Sequence, residues 1–134
     1  NIPGLDFSFS GLKTSFLYTL RDKMKEEPDF IDAHLDDLCA SLQYTIVSIL
    51  IDKLAKAVKE TGIREITIGG GVAANSELRD TLVATAKKRG WKVFIPERKF
   101  TTDNAAMIGV AGYLKYQRGE FGSQDMTPYA RTKY

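Results

Sequence analysis

Two segments of this 134-residue chain hold residues whose types and spacing suit chemistry. The first is Gly69-Gly70-Gly71-Val72-Ala73-Ala74-Asn75. Consecutive glycines let a backbone approach a ligand closely, and a helix beginning just beyond them offers unpaired N–H groups to an anion. Asn75 adds an amide that donates and accepts at once, which suits a ribose hydroxyl or a base edge. The plainer alternative is a tight strand-to-helix turn with Asn75 or Ser76 as the N-cap, but three glycines exceed what a turn requires. The second segment runs from Pro96 to Asn104 and ends Thr101-Thr102-Asp103-Asn104. Asp103 is expected in the first turn of a helix, where the helix dipole favours a carboxylate, and it can also ligate a divalent metal. One carboxylate does not make a metal site, and the single histidine, His34, is far away in sequence. The remaining ligands are therefore expected from outside this chain.

Other chemistries are weaker. Gly69 to Ala74 fits the G-x-G-x-x-G/A dinucleotide pattern, with Glu97 as the ribose-binding acid. Glu97 follows Gly69 by 28 positions, however, where the fingerprint expects about 20. No Gly-Lys-Ser/Thr follows the glycines, so the Walker pattern is absent. Ser8, Ser10, Lys13 and Thr14 around Gly11 form a candidate polar rim. His34 reads as a surface residue beside Asp36 and Asp37, and Cys39 as a buried small hydrophobe. No Ser/His/Asp or Cys/His set assembles from these residues.

The elements that must position the two segments can be read from periodicity. Leu5-Asp6-Phe7-Ser8-Phe9-Ser10 alternates at period two and predicts a short strand. Leu12 to Lys25 reads as a helix with Leu12, Phe16, Leu20 and Met24 on one face, broken by Glu26-Glu27-Pro28-Asp29. A long helix is expected from about Phe30 to Thr61, its core stripe being Leu35, Leu38, Leu42, Ile46 and Ile49, widened by Leu50, Leu54 and Val58. After Gly62 the pattern becomes strand–helix–strand–helix. Strands are expected at Glu65–Ile68 and Lys92–Ile95, with a helix through Arg89 between them that carries Leu78, Leu82, Val83 and Ala86. A last helix is expected from a cap at Thr101 or Thr102 to about Arg118, followed by an irregular tail from Glu120 to Tyr134. This spacing implies parallel strands with a right-handed crossover, whose carboxyl ends feed the two candidate segments.

Composition limits the function classes. Hydrophobic residues at 43% and charged residues at 27% describe a folded globular chain rather than a disordered one. Apolar runs are interrupted by Asp52, Lys53 and Lys56, short of the ~18–20 residues of a membrane span. The expectation is no membrane and a cytoplasmic location. Cys39 is the only cysteine, which excludes an intrachain disulfide. The net charge is +2, but residues 1–60 are acidic in excess and residues 61–134 basic, which permits a polyanionic partner such as RNA. The opening Asn1-Ile2-Pro3-Gly4 suggests a chain cut from a longer one, with three short strands whose open edges favour self-association.

Three motifs in order, Phe7-Ser8-Phe9-Ser10-Gly11-Leu12-Lys13-Thr14, then Gly69 to Ser76 followed by Leu78-Arg79, then Thr102-Asp103-Asn104-Ala105-Ala106-Met107-Ile108, resemble the TsaD (Gcp) family. The resemblance implies an α/β fold: a helix-rich lobe with a small, largely parallel sheet, part of an actin-like ATPase (RNase H-like) architecture. It implies an acyltransferase that moves a threonylcarbamoyl group from threonylcarbamoyl-AMP to N6 of the adenosine next to a tRNA anticodon. The implied partners are tRNA, that donor or an adenine nucleotide, and TsaB-like and TsaE-like proteins. By the same resemblance Asn75, with Gly70 and Gly71, contacts the nucleotide or substrate, and Asp103 binds one divalent metal, iron or zinc. The family's His-x-x-x-His metal pair has no counterpart here. The chain thus resembles a single C-terminal lobe, about two fifths of the enzyme, expected to be inactive alone and to retain no metal. A non-catalytic partner-binding lobe and a small Rossmann-type nucleotide-binding domain are the alternatives.

Overall fold

The computed structural model describes residues 2–127. It contains α1 (Phe9–Glu26), a one-turn α2 (Phe30–Ala33), α3 (Leu35–Thr61), β1 (Glu65–Thr67), α4 (Ser76–Arg89), β2 (Lys92–Phe94) and α5 (Ala105–Gln117). Short 3-10 turns at Gly71–Ala74 and Arg98–Phe100 follow the two strands. The described residues are 66% helical. β1 and β2 pair in parallel, Glu65 opposite Lys92, Ile66 opposite Val93 and Thr67 opposite Phe94. The expected helix-rich α/β class with a small parallel sheet is what forms.

One core holds these elements together. Val47 and Ile51 of α3, Ile66 of β1, and Leu78 and Leu82 of α4 form the buried cluster. Leu50, Leu54, Val58, Ile68, Trp91, Val93 and Ile95 pack around it. α3 ends at Gly62, whose φ of 74° places it in the left-handed region while its N–H bonds the Val58 carbonyl. Gly90 closes α4 in the same way.

Several expectations are corrected. Leu5 to Ser10 is not a strand: α1 already begins at Phe9. Ser8 is its N-cap, with Oγ accepting from the Gly11 N–H at 3.1 Å. A Cβ on Gly11 would sit 2.9 Å from that oxygen, so the glycine does not interrupt the helix but makes room for its cap. An extended hexapeptide needs a partner edge; Ser8 offers a local hydrogen bond instead. Thr14 Oγ1 likewise donates to the Ser10 carbonyl at 2.9 Å, so the candidate polar rim serves the helix. Three strands were expected, and the sheet has two among the described residues.

The long helix is divided by His34, which ends α2 and opens α3. Within α3 the buried residues are Val47 and Ile51, one position round from the expected stripe, and Leu35 is exposed. Val83 of α4 is exposed as well. Cys39 is exposed rather than buried. His34 is on the surface as expected, its ring 4.7 Å from that of Phe30 and its Nε2 3.9 Å from Glu27 Oε1. Residues 120–127 are irregular; the remainder of the expected tail lies outside the described residues. By length and composition Leu35–Thr61 is apolar enough to cross a membrane, contrary to the reading from interrupted runs. A mostly buried core helix of a soluble protein meets the same criterion; in α3 the buried residues are Val47 and Ile51, and 11% of the apolar window is buried.

Candidate functional site

Parallel pairing sends both strands out at the same sheet edge, so the segments after β1 and β2 begin side by side. After β1, Gly70 takes φ 81° and ψ 173°, a backbone state open essentially to glycine alone. Gly69 and Gly71 carry no such requirement, and a Cβ on any of the three would meet no atom within 4 Å. The glycines therefore leave an uncovered stretch of backbone larger than the turn itself needs. The 3-10 turn Gly71–Ala74 then buries Ala73 and delivers Asn75 to the start of α4.

Asn75 is the N-cap of α4, so the turn-and-cap alternative describes its local role correctly. Its Oδ1 accepts from the Leu78 N–H at 2.9 Å. Its Nδ2 donates to Oε1 of Gln43, on α3, at 3.0 Å. One hydrogen on Nδ2 and one lone pair on Oδ1 remain for another partner. Asn75 and Gln43 border a groove of about 250 Å³ whose other walls include Leu42, Ile46 and Val72, with Cys39 at its rim.

After β2, Thr101 is buried, and its hydroxyl donates to the Arg98 carbonyl at 2.8 Å. Neither Thr101 nor Thr102 caps α5. Asn104 does, its Oδ1 accepting from the Met107 N–H at 3.1 Å. Asp103 consequently lies just outside α5 rather than in its first turn, and it is exposed. Glu97 is exposed too and pairs with Lys99 at 2.8 Å.

Two arginines join the segments. Arg79, one turn into α4, donates from Nε to the Ala73 carbonyl and from Nη2 to the Pro96 carbonyl at 2.9 Å. Arg98 Nη2 donates to Ser76 Oγ at 2.7 Å. Arg79 falls inside the glycine-loop motif with no role evident from the sequence, and nothing in the sequence marks Gln43. Gln43 sits 32 residues before Asn75 and carries no local signal of the meeting.

The structure thus brings Gly70, Gly71 and Asn75 into one surface and ties it to the Pro96–Asn104 segment, but no hydrogen bond links Asn75 to Asp103 among the described residues. No three His, Cys, Asp or Glu side chains gather among those residues, so Asp103 and its neighbours do not by themselves fit a metal. The basic excess divides between Arg98 and Lys99 at this edge and Arg64, Lys87, Lys88, Arg89 and Lys92 at the opposite end of the strands and of α4.

Comparison with known proteins agrees with the motifs. The family model described as "TsaD: tRNA N6-adenosine threonylcarbamoyltransferase" matches residues 1–110, which include both segments. A protein of that name from Porphyromonas gingivalis is 53% identical over 131 residues, covering 98% of this chain and 38% of the relative. Its namesake from Christiangramia forsetii is 53% identical over 133 residues, covering 99% of this chain and 39% of the relative. A third, from Phocaeicola vulgatus, is 54% identical over 131 residues. The chain spans about two fifths of the length of these curated relatives. With the Gly69–Asn75 surface and the Asp103 turn both inside the matched stretch, the chain belongs to the TsaD, or tRNA N6-adenosine threonylcarbamoyltransferase, family.

Proposed function

We propose that this chain is the nucleotide-holding part of an enzyme that transfers a threonylcarbamoyl group from threonylcarbamoyl-AMP to N6 of the adenosine next to a tRNA anticodon. The observation that carries the reading is the uncovered Gly69–Gly71 backbone leading to the fixed Asn75 amide, at the carboxyl edge of a parallel sheet and inside the family-matched stretch. In the reaction the N6 amine attacks the carbamoyl carbon. The C–O bond to the phosphate breaks, AMP leaves with the electron pair, and the nitrogen loses its proton.

The part played by these residues is to bind and orient. Glycine backbone at Gly70 and Gly71 lets the adenylate approach without a side chain intervening, and Asn75 offers it a donor and an acceptor of set direction. Holding the donor fixed removes much of the entropic cost of bringing its carbonyl to the amine. Asp103 is proposed as one ligand of a divalent metal, iron or zinc, whose other ligands lie outside this chain. The reading also includes TsaB-like and TsaE-like partner proteins and a cytoplasmic setting. Exposed Lys87, Lys88, Arg89 and Arg64, at the far end of α4 and of the sheet, suit the tRNA phosphate backbone at a distance from the reacting base. On this reading the chain alone is inactive, since it spans two fifths of its relatives and gathers no metal set among the described residues.

The test uses the whole protein. Asn75→Ala is expected to raise KM for threonylcarbamoyl-AMP about tenfold, the loss of roughly 1.4 kcal/mol of binding. Asp103→Ala is expected to abolish metal retention, tRNA modification, or both. If metal content and modification survive that substitution intact, Asp103 is not a ligand.

A further inference from the structure

We propose that Gln43 is a positioning residue of this site: it sets the direction in which the Asn75 amide presents its remaining N–H and lone pair to the nucleotide. The inference rests on the reading of Asn75 as a nucleotide contact and goes one residue beyond it. An N-cap bond alone anchors only the oxygen of an asparagine amide. Here the nitrogen is anchored too, since Oδ1 accepts from Leu78 N–H at 2.9 Å while Nδ2 donates to Gln43 Oε1 at 3.0 Å. Two bonds on opposite ends define the plane of the amide. Flipping it would set an N–H against the Leu78 N–H, so the cap fixes which end of the amide faces Gln43, and the Gln43 carbonyl then holds that end in place.

The position of Gln43 is itself held by the core. It lies one turn before Val47 on α3, and Val47 belongs to the buried cluster that includes Leu78 of α4, three residues after Asn75. The helix packing that closes the core therefore also carries Oε1 to the amide. Leu42, Ile46 and Val72, which line the adjacent groove, have no polar side-chain atoms to compete for Nδ2. Gln43 itself is exposed, so its loss leaves the α3–α4 contact in place.

The experiment is steady-state kinetics of the whole protein, with its partner proteins, tRNA and threonylcarbamoyl-AMP. Gln43→Met keeps the length of the side chain and removes the acceptor; Gln43→Asn keeps the polarity and withdraws the acceptor by one methylene. Both are expected to raise KM for threonylcarbamoyl-AMP by about three- to ten-fold, the range of one hydrogen bond, with kcat and the melting midpoint little changed. A residue that only braces the fold would lower the melting midpoint and leave KM alone. Unchanged KM in both variants, beside a raised KM in Asn75→Ala, overturns the role of Gln43 and leaves that of Asn75 standing. Unchanged KM in Asn75→Ala as well overturns the reading of Asn75, and this inference falls with it.

Discussion

At the scale of single residues, two neighbouring glycines do different work. Gly70 is required by its backbone, at φ 81° and ψ 173°, and a Cβ there would meet nothing. Gly70→Ala is therefore expected to cost about 1–3 kcal/mol through backbone strain alone, seen as a lower midpoint in urea unfolding. Gly71 sits in the 3-10 turn without a positive φ and with open space around its Cβ position. Gly71→Ala is expected to leave the unfolding free energy in urea within about 0.5 kcal/mol of the parent and still weaken threonylcarbamoyl-AMP binding in the whole protein. If Gly71→Ala binds normally, the uncovered backbone is not a ligand surface. Asn75 was legible from sequence as a cap, because its type and its place between glycines and an apolar helix mark one. The exposure of Cys39 was not legible, because free cysteine is usually buried and nothing adjacent says otherwise.

At the scale of elements, the misread ones are those decided by a partner. Alternation at Leu5 to Ser10 is a true strand pattern, but the segment meets no edge among the described residues, and a serine cap lets the helix start at Phe9. Phe7 and Leu5 still turn toward apolar surface, lining a cavity of about 290 Å³ with Leu50, Leu54 and Ile68. In α3 apolar residues follow one another from Ile46 to Ile51 with only Ser48 between, so periodicity offered several faces, and contact with α4 selected Val47 and Ile51. Arg79 acts at this scale as well, joining the turn after β1 to the segment after β2. Arg79→Met removes two hydrogen bonds from a cation and is expected to cost about 1.5–3 kcal/mol. Amide exchange should quicken at Gly71–Ala74 and Arg98–Phe100 before the core responds. Uniform quickening across α3 and α4 would mean that Arg79 supports the whole fold and not the loop pair.

At the scale of the molecule, the most exposed apolar surface belongs to α5. It buries no residue, and Ile108, Val110, Tyr113 and Tyr116 are each at least 60% exposed. A helix apolar all round is ordinarily covered by protein. This chain spans 38% of its relative from Porphyromonas gingivalis. Produced alone, the chain is expected to self-associate, its sedimentation-average mass rising with concentration above the 14.9 kDa of one copy. The paired substitution Ile108→Lys and Val110→Lys is expected to reverse this. A concentration-independent mass of one copy for the parent chain would show that the surface tolerates water.

The chain's amino-acid sequence determined its family, its helix-rich α/β class and the places of the two loops that follow the strands, because glycines, caps and strand–helix periodicity are local signals. It also located the helix ends at Gly62 and Gly90, where backbone conformation depends on one residue. Tertiary structure decided which face of α3 is buried, that Leu5 to Ser10 forms no strand, and that Gln43 meets Asn75. The face of α3 and the Gln43–Asn75 contact depend on partners distant in sequence that the packing of α3 on α4 brings within reach, whereas Leu5 to Ser10 has no strand partner among the described residues and gives way to a helix on the local Ser8 cap.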